Sequence, residues 1–323
     1  MDKLLEFEKF LFNDEIFYKK FDILDVDFWV NRIVIFPSIR PLLLDKVIGL
    51  AAEYCTNLEF RRLFLFKCSN KCPVLIYRLY KMGILSFEEI EPLFSRSEIL
   101  KYYFRKQIIG FEDQVKTYNI ILEYDFSFFE HKNDIDNMIE YGFVPNTVEY
   151  CLKYDDIVVF RSIFPLNQCD VQWNPFEWSE KPQLLGLMSV SCFFGALCCF
   201  KHMLLNGYHV NDTAKSLAVC SGNLDIFHLF EYGSDHFFMG LYFAAKFFRV
   251  SFLDFFLGNG AEIGESSLYE FDSFIIAISY GHLSVVDYHI RKGVDINHLS
   301  SEVFPEYSMI LLFIKLQNKT IYV

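Results

Sequence analysis

An internal repeat in the C-terminal half constrains the fold of this chain more than any other feature. The segment 275–297 has a related copy displaced by 33 residues, with Gly260 in the place of Gly293. Further copies, shorter or more degenerate, lie at 151–160, 191–211 and 218–233. Self-similarity of this kind is typical of stacked two-helix repeats, in which each repeat contacts only its neighbours.

Each copy reads as two antiparallel helices joined by a tight turn. Glycine fits the turn because it takes a positive φ without a Cβ clash, and it stands there at Gly195, Gly222 and Gly281. A leucine is predicted to open the second helix and to anchor it in a shared core: Leu197, Leu224 and Leu283. The second helix is predicted to end at a left-handed glycine: Gly207, Gly233, Gly260 and Gly293. The pattern predicts an all-α fold, a right-handed α-solenoid of stacked antiparallel helix pairs that is degenerate at its N-terminus.

Two turn positions depart from the glycine rule, because Asp155 and Phe248 stand there instead. Aspartate tolerates a left-handed backbone and phenylalanine does so poorly, so we expect a distorted turn at Phe248. The turn positions 155, 195, 222, 248 and 281 are separated by 40, 27, 26 and 33 residues. The long interval indicates an insertion, and the short ones indicate trimmed turns.

The best-formed copy, Gly281–Val286 followed by Gly293–Asn297, resembles the core of an ankyrin repeat. Four more stretches are similar to a large, expanded family of trichomonad-type ankyrin proteins in which an uncharacterised helical domain precedes the regular repeats: Tyr102–Lys106, Ile139–Pro145, Asn174–Ser179 and Phe200–Gly207. The resemblance covers Arg61 to Asn297. It implies an interaction scaffold without catalytic residues, and it implies that His282 is structural and bonds to backbone in the neighbouring turn. Unlike that family, the chain does not continue with near-consensus repeats after His298.

Three regions follow from this pattern. Residues 1–145 show helix punctuation without a clean period, and we interpret them as degenerate helix pairs that extend the stack, with a separate N-terminal helical bundle as the alternative. Residues 146–298 hold the ankyrin-like repeats, including the uncharacterised domain of the family. Residues 299–323 are an apolar tail that either caps the last repeat or is a truncated, sticky end. Because no Gly/Ser/Pro-rich linker separates the first two regions, a continuous stack is favoured.

Composition and charge exclude several classes of protein. The chain is 53% hydrophobic with 38 Phe, which is incompatible with disorder. A net charge of −12 without a basic run argues against nucleic acid as a partner. The nine cysteines are odd in number and follow no regular framework, and the acidic start has no signal-peptide n-region. Both features favour a reducing, cytoplasmic location.

One uncharged stretch, Pro182–Phe200, has the length of a membrane-spanning helix. A buried helix pair also explains it, since an element that is packed on both sides is apolar all round. The repeat signature inside the stretch favours the buried pair, and association with a membrane is the lesser alternative.

No pattern typical of an enzyme, a cofactor site or a metal site occurs. The phosphate-binding, dinucleotide-binding, zinc-protease and nucleophile-elbow motifs are all missing, so we expect a non-catalytic protein with no cofactor. Cys68 and Cys72 share a helix face, as do Cys198 and His202, but zinc needs four ligands and usually closer cysteine pairs. We expect Cys198 and Cys199 to be core residues.

The predicted function is the binding of an unidentified protein on the concave surface of the stack. Trp173 and Trp178 lie in the long interval, where aromatic anchors are typical of interface hot spots, although packing across a helix groove is the favoured interpretation. The projecting turns are predicted to add Tyr208, Tyr269 and Glu270 to the contact. Self-association through the apolar tail is a further alternative.

Overall fold

The computed structural model describes residues 26–39, 44–108, 132–163, 170–172, 184–261, 273–280 and 282–294. Of these residues 73% are helical and almost none are in strands, so the fold class is all-α. They belong to two compact units, one within Asp22–Val210 and one that includes Asn211–Val323.

In the described part of Asp22–Val210 the elements follow in this order: α1 (Val26–Ile39), α2 (Leu44–Tyr54), α3 (Leu58–Lys71), α4 (Pro73–Lys81), α5 (Phe87–Ile90), a 3-10 turn (Glu91–Ser95), α6 (Glu98–Tyr103), α7 (Lys132–Tyr141), α8 (Val148–Tyr154), α9 (Ile157–Ile163), β1 (Asp170–Gln172), β2 (Leu184–Gly186), α10 (Leu187–Phe194) and α11 (Leu197–Leu205).

Several of these helices begin where the sequence supplies a cap. The side chain of Asn57 accepts hydrogen bonds from two backbone N–H groups and starts α3. Pro73 occupies the first turn of α4, where its missing N–H would have had no intrahelical partner. Ser86 and Glu89 form a reciprocal capping box at α5.

The N-terminal helices bury their apolar faces against one another. Both α2 and α3 pack against α1 and α4. Phe60 and Phe64 of α3 are fully buried, and their ring centroids lie 5.9 Å apart. Leu75 and Leu79 of α4 are also fully buried, so the core of this region runs between α3 and α4.

Two helix pairs follow, α8 with α9 and α10 with α11. The first helices, α8 and α10, pack against each other, and so do the second helices, α9 and α11. Between the pairs, β1 and β2 form an antiparallel ladder with Val171 opposite Leu185. The sequence did not predict this ladder, because strands of three residues are too short to show an alternating pattern.

The uncharged stretch Pro182–Phe200 includes β2, α10 and the start of α11. Every residue of α10 is buried, which explains the lack of charge, since a helix buried on all sides is apolar all round. Over the described ranges, no helix combines the length and the apolar character that crossing a bilayer requires.

In the described part of Asn211–Val323 the order is α12 (Asp212–Ser221), α13 (Leu224–Phe227), α14 (Ser234–Lys246), α15 (Val250–Gly258), α16 (Ser273–Ser279) and α17 (Leu283–Arg291). The long helix α14 packs against α12, α15 and α16. Phe227, Leu253 and Phe256 are at the centre of its core. A Cβ on Gly240 would overlap the ring of Phe256, so this glycine lets α14 and α15 approach closely.

The turns between paired helices share one backbone geometry. Asp155, Gly195, Gly222 and Phe248 have φ angles of 53°, 76°, 73° and 53°. After the turn positions 155, 195, 248 and 281, the next N–H bonds to the carbonyl five residues back, at 2.7–2.9 Å, which is the Schellman arrangement. The expected distortion at Phe248 is therefore wrong, because the same hydrogen bond holds the phenylalanine in the left-handed region. Gly281 itself lies outside the described residues.

The ends of the second helices follow the glycine prediction with one exception. Gly207, Gly260 and Gly293 have φ angles of 82°, 100° and 96°. The backbone N–H of the residue after each glycine donates a hydrogen bond to the carbonyl five residues earlier. Gly233 instead has a φ of −83° and is the N-cap of α14. The prediction fails there because α13 is a single turn that ends at Phe227, well before the glycine.

Two of the leucines near the start of the second helices, Leu197 and Leu224, are not core residues. Leu197 is half-buried and Leu224 is exposed, while for Leu283 only its place at the start of α17 is described. The fully or almost fully buried side chains lie two and three residues further on: Cys199 and Phe200, Ile226 and Phe227, Val285 and Val286. Successive helical residues are rotated by about 100°, so the first residue of the helix points away from the face that its next turn buries.

Candidate functional site

Side chains at the inter-helix turns join neighbouring helix pairs. In Asp22–Val210, the carboxylate of Asp155 accepts hydrogen bonds from the backbone N–H groups of Cys198 (3.1 Å) and Cys199 (2.9 Å) at the start of α11. These N–H groups have no intrahelical partner and lie at the positive end of the helix dipole, which favours a carboxylate.

The two cysteines at this junction differ in exposure. Cys199 is buried, but Cys198 is exposed, which corrects the prediction that both are core residues; one step along a helix turns the side chain away from the core. The hydrogen bond and the charge of Asp155 raise the pKa of the Cys198 thiol. A thiol with a raised pKa is a poor nucleophile.

In Asn211–Val323 the residue after the turn makes the junction, with the opposite charge. The guanidinium of Arg249 donates to the carbonyl oxygens of Cys220 (2.8 and 2.9 Å) and Ser221 at the end of α12. Burial lowers the pKa of Arg249 to about 10, so it stays charged at neutral pH. A Cβ on Gly222 would overlap this guanidinium, so Gly222 is required for space as well as for its φ.

His282 takes the position of Arg249 in the last described pair. It is fully buried, and its Nε2 lies 2.9 Å from the carbonyl oxygen of Lys246 at the end of α14. Because a carbonyl only accepts, Nε2 carries the proton and donates it. His282 thus makes a structural bond to the backbone of the neighbouring helix pair.

Other chemically active side chains are buried in apolar surroundings. Cys68 donates its thiol proton to the carbonyl oxygen of Cys72 at 2.9 Å, and burial raises the pKa of Cys68 well above its usual value. His289 is fully buried in α17, and among the described residues its two ring nitrogens have no hydrogen-bond partner of good geometry. Burial lowers the pKa of His289 to about 4, although the nearby Ser273 backbone favours the charged form slightly. In the part of the chain that the structure describes, no three Cys, His, Asp or Glu side chains are grouped to hold a metal ion.

Of the predicted partner contacts, the structure describes Tyr208, and it is only 7% exposed. Its N–H bonds to the carbonyl of Met203 at 3.1 Å, and its side chain takes the position after the glycine where an apolar contact accompanies this turn. Burial corrects the prediction that Tyr208 is an exposed contact. The other predicted contacts lie outside the described residues and stay predictions: Trp173, Trp178, Tyr269 and Glu270.

A different surface of the C-terminal unit carries exposed apolar side chains. Leu224, Leu229 and Phe255, on or next to the second helices α13 and α15, are 52%, 48% and 38% exposed. The ring of Phe255 contacts those of Phe227 (5.1 Å) and Tyr232 (6.2 Å), which stack on each other at 4.4 Å. This aromatic cluster holds the exposed ring in one position.

Exposed carboxylates are next to these residues in the chain: Asp225 follows Leu224, Glu231 precedes Tyr232 and Asp254 precedes Phe255. Asp254 accepts a hydrogen bond from the hydroxyl of Tyr288, and burial together with this carboxylate raises the pKa of Tyr288 to about 12. Asp225 and Glu231 form no ion pair with a described cation. We call this surface the Phe255 face; it consists of Leu224, Asp225, Leu229, Glu231, Asp254 and Phe255.

One feature of the sequence indicates the Phe255 face, although no motif covers it. Leu229 and Phe255 lie at the same distance after their turn residues, Gly222 and Phe248. Aligning the copies on their turns therefore places both apolar residues at one position, close to the end of the second helix.

No family model, no curated protein and no solved structure matches this chain. What it does is therefore inferred from its own residues.

Proposed function

We propose that the chain is a non-catalytic, ankyrin-type interaction scaffold, a right-handed solenoid of stacked helix pairs that binds a partner protein. The shared turn geometry supports the stack, as does the packing of first helix on first helix within each unit. The hydrogen bonds of Asp155, Arg249 and His282 to the backbone of a neighbouring pair support it further. The resemblance to ankyrin repeats rests on these same turn positions.

The Phe255 face carries the proposal that the scaffold binds a protein. Interface hot spots are typically aromatic side chains that are ordered before the partner arrives, because such groups lose little conformational freedom on binding. Phe255 meets this description, since Phe227 and Tyr232 hold its ring. The face lies on the second helices, so it adds a contact surface to the projecting turns and the concave side.

We further propose that the protein is cytoplasmic. The described cysteines are free thiols, which is the state that a reducing compartment maintains.

Quantitative affinity capture from the native cell tests this function. The variant Leu224→Ser/Leu229→Ser removes two exposed apolar side chains of the face, and Leu58→Ser/Met82→Ser is a matched control, since these residues are 67% and 54% exposed in the other unit. We expect the wild type and the control to retain the same partner and the face variant to lose it, with thermal unfolding unchanged in all three. Equal recovery of the same proteins by all three would overturn the proposed surface.

A further inference from the structure

The exposed side of the second helices changes charge between the two units. Six residues after the turn, α9 and α11 carry the exposed cations Arg161 and Lys201. The same position holds His228 after α13, Asp254 on α15 and Asp287 on α17. One repeat position is therefore basic in Asp22–Val210 and neutral or acidic in Asn211–Val323.

Each described cation of the C-terminal unit is already engaged. Lys215 pairs with Asp212 at 3.6 Å and Arg291 pairs with Asp287 at 2.6 Å. Arg249 is bound to backbone carbonyls, and the ammonium groups of Lys246 and Lys292 lie over tyrosine rings. None of these groups neutralises Asp225 or Glu231, so the Phe255 face combines exposed apolar side chains with unbalanced negative charge.

We infer that the Phe255 face binds a basic amphipathic helix of the partner protein; this inference rests on the proposed function. The apolar side of that helix contacts Leu224, Leu229 and Phe255, and its lysines and arginines pair with Asp225, Glu231 and Asp254. A helix repeats side chains at three- and four-residue spacing, so one face supplies apolar contact while its edges supply cations.

Charge selects this partner over others of the same shape. An acidic amphipathic helix would bring carboxylates against carboxylates during desolvation, which disfavours the complex. A basic helix replaces the solvation of Asp225 and Glu231 with direct ion pairs and is attracted over a distance of about one Debye length, roughly 8 Å at physiological salt.

A synthetic amphipathic peptide of leucine and lysine, about 18 residues or roughly five helical turns, tests the inference on the full chain. Its affinity is measured by fluorescence anisotropy. We expect Asp225→Asn/Glu231→Gln to weaken binding about tenfold, and Leu224→Ser/Leu229→Ser to weaken it by a similar factor. A leucine–glutamate peptide of the same length is expected to show no binding.

The matched control neutralises acids of the other unit. Asn57-Leu58-Glu59 repeats the pattern of Asn223-Leu224-Asp225: in both, the asparagine side chain caps the helix, the leucine is exposed and the acid follows in the first turn. Glu53 and Glu59 are both exposed, and Glu53→Gln/Glu59→Gln is expected to change the affinity less than twofold. An equal loss in both double variants would show attraction to the net charge alone and would overturn the inference.

The outcomes separate this inference from the proposed function. If Leu224→Ser/Leu229→Ser loses the cellular partner while the leucine–lysine peptide fails to bind the wild type, the face binds a protein of other chemistry and the inference is overturned alone. If neither experiment depends on the face, both proposals are wrong. If sedimentation shows a dimer that only the face variant dissociates, the occupant is a second copy of this chain, and the inference is again overturned.

Discussion

Within each of the two units, side chains join neighbouring helix pairs, and the two units use groups of opposite hydrogen-bonding role. In Asp22–Val210, the carboxylate of Asp155 accepts from the N–H groups that start α11. In Asn211–Val323, Arg249 and His282 donate to carbonyls that end α12 and α14. Each side chain matches the partial charge of the helix end that it contacts. The comparison shows that the repeat sets the geometry of the junction, whereas the chemistry of the joining group varies with the helix end within its reach.

The largest effect on stability is expected at Arg249. Arg249→Met keeps most of the side-chain volume but removes the hydrogen bonds to the Cys220 and Ser221 carbonyls. We expect the free energy of unfolding to fall by about 3 kcal/mol, because each bond involves a charged donor and the carbonyls lose their partner. Urea unfolding followed by far-ultraviolet circular dichroism measures this change. Arg291→Met, at a side chain that is 78% exposed, is the control and should stay within about 0.5 kcal/mol of the wild type.

A pH-dependent loss of similar size is expected from His289. The position eight residues after the turn is a buried core position of the second helix. Met203 and Phe256 occupy it in two earlier helix pairs, and His289 occupies it in the last one. Burial lowers its pKa from 6.5 to about 4, so the unfolded chain takes up the proton first, and stability falls as the pH drops from about 6.5 to 4. Near pH 4 the free energy of unfolding is therefore lower by about 3 kcal/mol than it would be without this pKa shift.

The variant His289→Met tests this pH dependence directly. It should remove the loss in free energy of unfolding that His289 causes between pH 6.5 and 4, and it should change the free energy of unfolding at pH 8 much less. Unfolding is measured in urea between pH 8 and 4, with His228→Gln as a control at an exposed histidine. Parallel pH profiles for the wild type and His289→Met would contradict the account of this position.

Two glycines with similar φ angles separate backbone strain from lack of space. Gly207 (φ 82°) has open space where a Cβ would lie, whereas a Cβ on Gly222 (φ 73°) would overlap Arg249. Gly207→Ala should cost about 1–2 kcal/mol from the left-handed backbone alone. Gly222→Ala should cost about 1 kcal/mol more, because it also displaces the guanidinium from its carbonyls. Equal losses in thermal and urea unfolding would mean that Arg249 moves without consequence.

The smallest effect on stability is expected at Asp155, whose carboxylate joins neighbouring helix pairs in Asp22–Val210. Asp155→Ala removes an acceptor from two N–H groups that water can still reach at the exposed Cys198, so the loss should be about 1 kcal/mol. Asp155→Asn keeps one acceptor and tolerates the left-handed backbone, and it should recover part of that loss. A change at Asp155 as large as that at Arg249 would contradict the comparison between the two units.

The sequence was sufficient to locate the turns, because the residue types there follow from local backbone geometry. Gly195 and Gly222 have the positive φ that a tight turn between helices requires, and the helix ends at Gly207 and Gly260 follow the same rule. Local rules fail where neighbouring elements decide the outcome. Phe248 takes a left-handed φ that it disfavours, because the Arg249 N–H bonds to the Ala244 carbonyl in the same arrangement as elsewhere.

The Phe255 face could not be predicted in the same way. Which second-helix side chains are exposed depends on the length of each helix and on the packing around it. Leu224 is exposed at the start of α13, and because α13 ends at Phe227 after a single turn, Gly233 becomes the N-cap of the next helix. Tyr208 has the sequence context of a projecting turn, yet it is buried. Exposure and contact between distant segments, such as Phe255 with Tyr232, emerge only in three dimensions.

Site-specific photocrosslinking in the native cell tests most directly whether the Phe255 face binds a protein. Benzoylphenylalanine is placed at Leu224 in one variant and at Leu58 in another, since both leucines are exposed after an asparagine cap at the start of a helix. We expect one discrete crosslinked protein from Leu224 and none from Leu58. Identical crosslinking patterns at the two positions, or no adduct at either, would contradict the proposal that this face binds a partner protein.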